Sequence, residues 1–498
     1  MRLTWCIPFL LLLCYHHLMA AERPQTPGNQ PIEQAIEHLQ LEAAAQLNAQ
    51  IQDVKLRLYY QSRLLFIPYL VSEPAGQYDR FIEFSKLAAT QLDKLPDADA
   101  DKKWMMAEIF FMRGVLRALN QQNVTSAIDM KSACSLILES RNSHPKSFEN
   151  RKLLGVFQVA MAAMPKKLQW IGKVLCLGGD LVSGLNNLEL AAQNGKMLPR
   201  ESQTLLFYFE KNLLERPESA HHRARLLHEK HPQSKIFSYL LLTSLIELRQ
   251  IDDAIRFAES QEATATQKAG QMPLPIWNYT LGKAYFFRLD YALAIGQFDR
   301  FLNTYKGKNL KADALYRKGM AYLLQGKSRQ ARETLTAFAN LPKSEFDADE
   351  YARQQSLNYL LAAPTPTDKC LYAARNLFDG GYYIRALDSI NSIDVTFPNL
   401  STAQKTEYHY RLGRIHDAMG KKDAAKESYQ QCISYSVSSA QWMRVYALYY
   451  LGRIEAEQGN TERARIFYKT ALTFDHYPYQ SGLEQRAKSA LESLKLAK

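Results

Sequence analysis

The sequence predicts an all-α chain built as a solenoid of stacked helical hairpins. Leu412-Gly413-Arg414-Ile415 and Leu451-Gly452-Arg453-Ile454 state the same theme twice, each with an alanine twelve residues after its glycine (Ala425, Ala464) and a tyrosine four later (Tyr429, Tyr468). Leu281-Gly282 with Ala294 and Phe298, and Gly319 with Ala331 and Leu335, follow the same spacing. Every convincing apolar segment has the helical period, and no run alternates as a strand would. Glycine and proline are sparse, 22 and 19 among 498 residues, which suits long helices.

The spacing resembles the tetratricopeptide repeat, a helix–turn–helix unit of about 34 residues in which small residues let two antiparallel helices approach closely. Such arrays bury a core only by stacking, and the stack leaves a concave surface for binding. The resemblance implies a binding scaffold.

Taken in order, Arg2 precedes a short apolar run, Cys6 to Tyr15, and small residues at Ala20 and Ala21, so residues 1–21 read as an export signal too short to span a bilayer. Residues 22–30 read as a flexible segment, and Pro31 sits where a helix starts without losing a needed donor. Ile32, Ile36, Leu39 and Leu41 begin a helical pattern that runs to about Tyr60. Helices follow at Gln77–Leu92, Lys103–Leu119 and Val124–Ser140, the last two joined by Asn120-Gln121-Gln122-Asn123. Pro145 and Pro165 punctuate the next stretch, and Asp180 after Gly178-Gly179 caps a helix through Gln193. Residues 31–232 thus form a helical region with degenerate repeats, and 233–474 the explicit array. Its packing alanines are Ala254, Ala294, Ala331, Ala386, Ala425 and Ala464, at intervals of 40, 37, 55, 39 and 39. The interval of 55 holds an extra helix, Tyr351–Ala362, closed by Pro364-Thr365-Pro366; the hairpins at Ala254 and Ala386 lack the glycine. Residues 475–498 close the stack with a helix from Gln480 to Leu494.

Composition narrows the function classes. Apolar residues make up 47 % and charged residues 22 %, a folded globular balance. The net charge of +12 favours acidic partners or a membrane surface, but Lys and Arg are dispersed among Asp and Glu without a dense block, which argues against nucleic acid. Cys134, Cys176, Cys370 and Cys432 show no Cys-x-x-Cys spacing, and Cys432 falls where a small residue packs a second helix. Asn123, Asn278 and Asn399 head glycosylation triplets, which matter only in a eukaryotic secretory route. No phosphate-cradling loop, His-Glu-x-x-His helix, nucleophile elbow or EF-hand loop is present, so neither enzyme nor cofactor is expected. His221, His222, His228 and His231 are the best metal candidates, but Arg223, Arg225 and Lys230 surround them and favour an ordinary surface helix end.

Phe157 to Pro165, then Leu168, Ile171, Val174 and Leu175, then Leu177-Gly178-Gly179-Asp180 to Leu185, resemble the signature region of the inclusion-body-clearance (TPR-39) family of tetratricopeptide proteins. Tyr477-Pro478-Tyr479 with Leu483-Glu484-Gln485-Arg486 resembles that family's C-terminal end. The likeness spans Ala107 to about Lys495 and implies a helical-repeat adaptor with no catalytic residues. The export signal departs from the family's intracellular members and suggests an exported, bacterial relative, periplasmic or associated with the outer membrane if bacterial and otherwise in a secretory pathway.

The candidate binding surface is the inner face, built by the first helix of each hairpin. Alignment on the glycines puts Tyr279, Tyr316, Tyr410 and Tyr449 at one position, with Lys283, Met320, Arg414 and Arg453 four residues on and Arg317 and Arg411 flanking. Such a stripe would hold a protein or extended peptide, Arg forks reading carboxylates and rings packing side chains. The alternative is a groove for a lipid or other apolar ligand, lined by Val156–Leu185.

Overall fold

Among the described residues the architecture is twenty-four α-helices and one short 3-10 turn, with no strand. The computed structural model describes residues 30–162, 178–214, 216–264, 270–344, 346–393, 400–435 and 440–496. Two units emerge: one of 30–248, 256–280 and 300–307, the other of 249–255, 281–299 and 308–496. The expected export signal and flexible segment, residue 30 apart, lie outside the described residues, as do Asn399 and the whole of Met164–Leu177, Cys176 included.

In the first unit the pattern from Pro31 to Tyr60 is not one helix. It breaks into α1 (Gln30–Glu37), α2 (Leu41–Gln50) and α3 (Val54–Ser72). Leu39 adopts a left-handed φ of 57° between α1 and α2, and Asp53 caps α3 by accepting from the Lys55 amide at 2.8 Å. Next come α4 (Gln77–Asp93), α5 (Lys102–Leu119) and α6 (Asn123–Ser143). Gly114 packs α5 onto Met130 of α6, and the Ser126 hydroxyl donates to the Gly114 carbonyl at 2.7 Å. A close backbone crossing joins α7 (Glu149–Ala162) to α8 (Leu181–Asn194): a Cβ on Gly155 would lie 2.7 Å from the Gly184 carbonyl oxygen. Asp180 caps α8 by accepting from the Ser183 amide, and Gly179 is pressed so closely on Ala162 that a Cβ would sit 2.3 Å from its nitrogen. That glycine therefore serves packing as well as the turn. The described helices continue with α9 (Pro199–Asn212), α10 (Pro217–Lys230) and α11 (Lys235–Glu247), α9 and α10 both opening on proline.

Helices α12 (Ile251–Thr264), α13 (Pro275–Arg288) and α14 (Tyr291–Thr304) lead into α15 (Lys311–Leu324), α16 (Ser328–Thr336) and α17 (Asp347–Leu361). Then follow the pairs α18 (Pro366–Asp379) with α19 (Tyr383–Asn391), α20 (Thr402–Ala418) with α21 (Lys422–Tyr435), and α22 (Gln441–Glu457) with α23 (Thr461–Ala471). The chain closes on α24 (Gln480–Leu496). The predicted register appears in the second unit as atomic contact. A Cβ on Gly282 would meet Phe298 at 2.8 Å, on Gly319 Leu335 at 2.6 Å, on Gly413 Tyr429 at 2.7 Å, and on Gly452 Tyr468 at 2.7 Å. The alanines between them, Ala294, Ala331, Ala386, Ala425 and Ala464, are buried. Helix starts are written in side chains: Thr365 with Asp368, and Ser401 with Gln404, form reciprocal capping boxes. The α20–α21 and α22–α23 turns use Gly420 and Gly459 at φ of 75° and 82°. Leu483 and Ala487 of α24 are buried and cover the last hairpin beside Tyr468. Cys432 is fully buried in the same stack, its thiol pushed up to about 12 by that burial. First helices α18, α20 and α22 pack side by side, and α17 packs on α15, giving one continuous layer.

Candidate functional site

Each tyrosine of the predicted stripe stands three residues before its glycine, and that position points into the stack more than away from it. Tyr316 and Tyr410 each keep 2 % exposure. Tyr316 meets Tyr351 and Tyr372 at 6.3 Å, and Tyr410 meets Trp442 edge-on at 5.4 Å. Tyr449 is half-buried between Tyr450 and Tyr468. Tyr279 falls in the first unit, buried against Phe301. Met320 is also buried. These side chains fill space between hairpins, so their recurrence reflects a packing demand.

The cations present a different picture. Arg317 pairs with Asp313 at 2.6 Å and lies over Phe286 and Phe287; Lys283 approaches Phe287 at 5.9 Å. Arg411 is bound twice to Glu407 beside Trp442, and is 8 % exposed. Arg453 pairs with Asp417, stacks on Tyr450 and keeps 40 % of its side chain exposed. Arg414 is the distinctive one. Its guanidinium lies 4.5 Å from the Phe378 ring of α18, 4.9 Å from Tyr450 of α22 and 5.9 Å from Tyr410 of its own helix. Its Nη1 donates to the Tyr410 hydroxyl at 3.2 Å, and no carboxylate lies within ion-pair distance among the described residues. Three successive first helices therefore hold one half-buried planar cation, which Asp379 favours from beyond ion-pair distance.

Alignment on glycines skipped α18, where Ala374 stands twelve residues before Ala386. Counting back from the alanine would have found Arg375 at the position of Arg414 and Arg453. Arg375 donates to the Tyr351 hydroxyl at 3.0 Å, stacks near Tyr351 and Tyr372, and reaches Asp379 at 3.8 Å. Arg317, Arg375, Arg414 and Arg453 thus lie on the first-helix layer among rings, three of them paired with acids of their own, Asp313, Asp379 and Asp417. Phe378 and Tyr450 are the rings that sequence reasoning did not single out.

The first unit holds a buried charge network with no sequence forewarning. Arg63 of α3 bridges Glu108 of α5 and Glu201 of α9; Lys152 of α7 bridges the same two carboxylates. The Tyr59 hydroxyl donates to Glu108 at 2.9 Å. Nearby, Glu33 accepts from the Tyr60 hydroxyl and the Leu198 amide, and burial pushes its carboxyl up to about 7. Glu37 pairs with Arg200 at 3.2 Å. These groups answer one another across five helices, the pattern of an internal cross-link. Of the alternative groove, Val156, Phe157, Val159 and Met161 are core residues of α7, whereas Leu181 and Leu185 of α8 are half-buried and Val182 is exposed. His228 faces the Ser238 hydroxyl and the Phe257 ring, and burial pushes His231 down to about 4. Among the described residues no three His, Cys, Asp or Glu gather as metal ligands, and no helix is long and apolar enough to cross a membrane.

Residues 406–436 match one model of the tetratricopeptide repeat, and 313–344 and 446–473 match a second model of the same repeat. The chain therefore carries tetratricopeptide repeats where the glycine register is clearest. No curated protein sequence matches it. Among solved structures, a Rap protein complexed with competence and sporulation factor is 11 % identical, with 82 % of this chain and 96 % of that one covered and a TM-score of 0.34. A human IFIT1 dimer with m7Gppp-AAAA is 15 % identical, covering 94 % and 98 %, at a TM-score of 0.34. The hetero-tetramer Cut9–Hcn1 is 12 % identical, covering 95 % and 97 %, at 0.30. At these scores the likenesses carry no functional information. Tetratricopeptide repeats in general mediate protein–protein interaction and are generally non-enzymatic scaffolds.

Proposed function

We propose that the inner layer of the second unit binds an extended, acidic segment of a partner protein, with Arg414 as its central contact. The observation that carries this reading is the half-buried Arg414 guanidinium, stacked among three rings with no carboxylate in ion-pair contact, Asp379 acting on it only from farther off. Ring faces attract a cation without neutralising it, and they fix its plane. The fork is then preorganised for a bidentate carboxylate, with little side-chain entropy left to lose. A charge-assisted hydrogen bond of this kind contributes about 1.5–3 kcal/mol, more than an exposed surface pair. Arg375 and Arg453 extend the same chemistry to either side, which suits an extended ligand better than a compact one. The apolar run at Cys6–Tyr15 supports a further part of the reading, that the chain acts after export; the mass of the mature N-terminus tests it.

Peptides selected by display on the intact chain provide the test. Arg414→Gln is expected to weaken the acidic ones at least tenfold, and Arg414→Lys to recover only part of the loss because ammonium keeps the charge but not the fork. Affinity that is indifferent to Arg414 would refute the proposal.

A further inference from the structure

The segment that joins α23 to the closing helix reaches back across the second unit. Tyr477 is buried among Val445, Leu448, Ala471 and Leu483, which anchors the segment. Two residues on, Tyr479 leaves that cluster and sets its ring 5.8 Å from Tyr351 of α17, a helix separated from it by three hairpins. Tyr351 is the residue whose hydroxyl receives Arg375, and Asp313, Arg317 and Arg375 lie within electrostatic reach of Tyr479. The contact is thus made on the inner layer, beside the stacked arginines. Yet Tyr479 keeps 40 % of its surface exposed, so it is seated but not built into the core. His476 and Tyr479 also hold left-handed φ angles of 58° and 59°, a conformation that side-chain-bearing residues adopt at a cost. An exposed ring on a strained strap is poised to leave.

We infer that Tyr351 and Arg375, flanked by Asp313 and Arg317, form an aromatic side-chain subsite of the inner face, that Tyr479 fills it in cis, and that the partner segment carries an aromatic residue which displaces the strap. This deepens the function proposed above and rests on it for the location of the partner. A tyrosine suits the subsite because its ring packs on Tyr351 and stacks with a guanidinium while its hydroxyl stays among charged groups. The strap then competes with the partner, and only a segment presenting its own ring binds well.

The test uses a fluorescent peptide of residues 473–482 added to the full chain, read by anisotropy. The Tyr479→Ala chain is expected to bind it at least tenfold more tightly than the wild-type chain, in which the cis residue competes. Tyr479→Phe keeps the ring and is expected to behave as wild type. The same peptide carrying Tyr479→Ala is expected not to bind. Equal affinity for the wild-type and Tyr479→Ala chains, or no binding to Tyr479→Ala, would overturn the inference. Arg414 lies outside the subsite, so strap-peptide capture that persists while Arg414 proves irrelevant to selected peptides rejects the earlier proposal alone.

Discussion

Gly413→Ala puts the repeat register under direct strain. A Cβ at Gly413 would lie 2.7 Å from both Cδ1 and Cε1 of Tyr429 and 3.1 Å from Cγ. Ordinary contact begins near 3.4 Å, so the ring must retreat by roughly 0.7 Å. It has nowhere to go: Tyr429 is fully buried and stacked on Tyr450 at 5.5 Å and 19°. Overpacking of this kind costs about 1–3 kcal/mol, against about 1 kcal/mol that alanine returns through helix propensity. The net loss is about 0–2 kcal/mol. Gly296→Ala is the matched control, since Gly296 is also helical and a Cβ there meets nothing within 4 Å. It should gain up to about 1 kcal/mol. Repeat arrays do not unfold as one unit, so native-state hydrogen exchange resolved by peptide is the proper assay. Protection over residues 402–457 is expected to fall by up to about 30-fold in Gly413→Ala. If Gly413→Ala gained protection as Gly296→Ala does, the close approach of α20 and α21 would be wrong.

The first unit offers two further tests. Glu33 rises from an ordinary 4.5 to about 7 through burial, so the fold favours its protonated form. Its stabilising effect is complete below pH 4.5 and is lost as pH rises through 7. Glu33→Gln keeps an acceptor for Tyr60 and Leu198, so its stability relative to wild type should improve by about 3 kcal/mol between pH 4.5 and about pH 8. A gap in urea midpoint that stays constant with pH would contradict this. Lys152→Met leaves Glu108 and Glu201 sharing Arg63 alone and is expected to cost about 3–5 kcal/mol in urea unfolding. Arg329→Ala breaks a pair whose arginine is 88 % exposed and should change stability by less than about 0.5 kcal/mol. Equal effects of the two substitutions would mean that the buried network is not a network.

Close packing leaves residue-type signatures, and for that reason the hairpins were legible. Only glycine tolerates the approach of Tyr429 or Tyr468, and only a small side chain fits at Ala425 or Ala464, so Gly413, Gly452 and their alanines spoke plainly. Caps were legible too, because Asp180 satisfies backbone donors in its own neighbourhood. What was hidden depends on distant partners. Arg63 and Glu201 are 138 positions apart, and neither carries a local mark of its burial. The left-handed Leu39 that splits the first helical run has no residue-type signal, since leucine is a good helix former. At the candidate site, the glycine register aligned Arg414 with Arg453 but carried no sign of how deeply Tyr316 and Tyr410 are buried. Recurrence at one register position means a shared environment, and for Tyr316 and Tyr410 that environment is the neighbouring hairpin. Arg375 escaped because Ala374 performs the glycine's packing role.

The central claim is that the inner layer of the second unit is the binding surface. A photo-reactive benzoylphenylalanine at Tyr446, half-buried beside Tyr450, is compared with one at Glu427, exposed on second helix α21. With an Arg414-dependent acidic peptide, the crosslink is predicted to form from position 446 and to fade when Arg414→Gln is added. A crosslink formed from position 427, or one from 446 that ignores Arg414, would contradict the account.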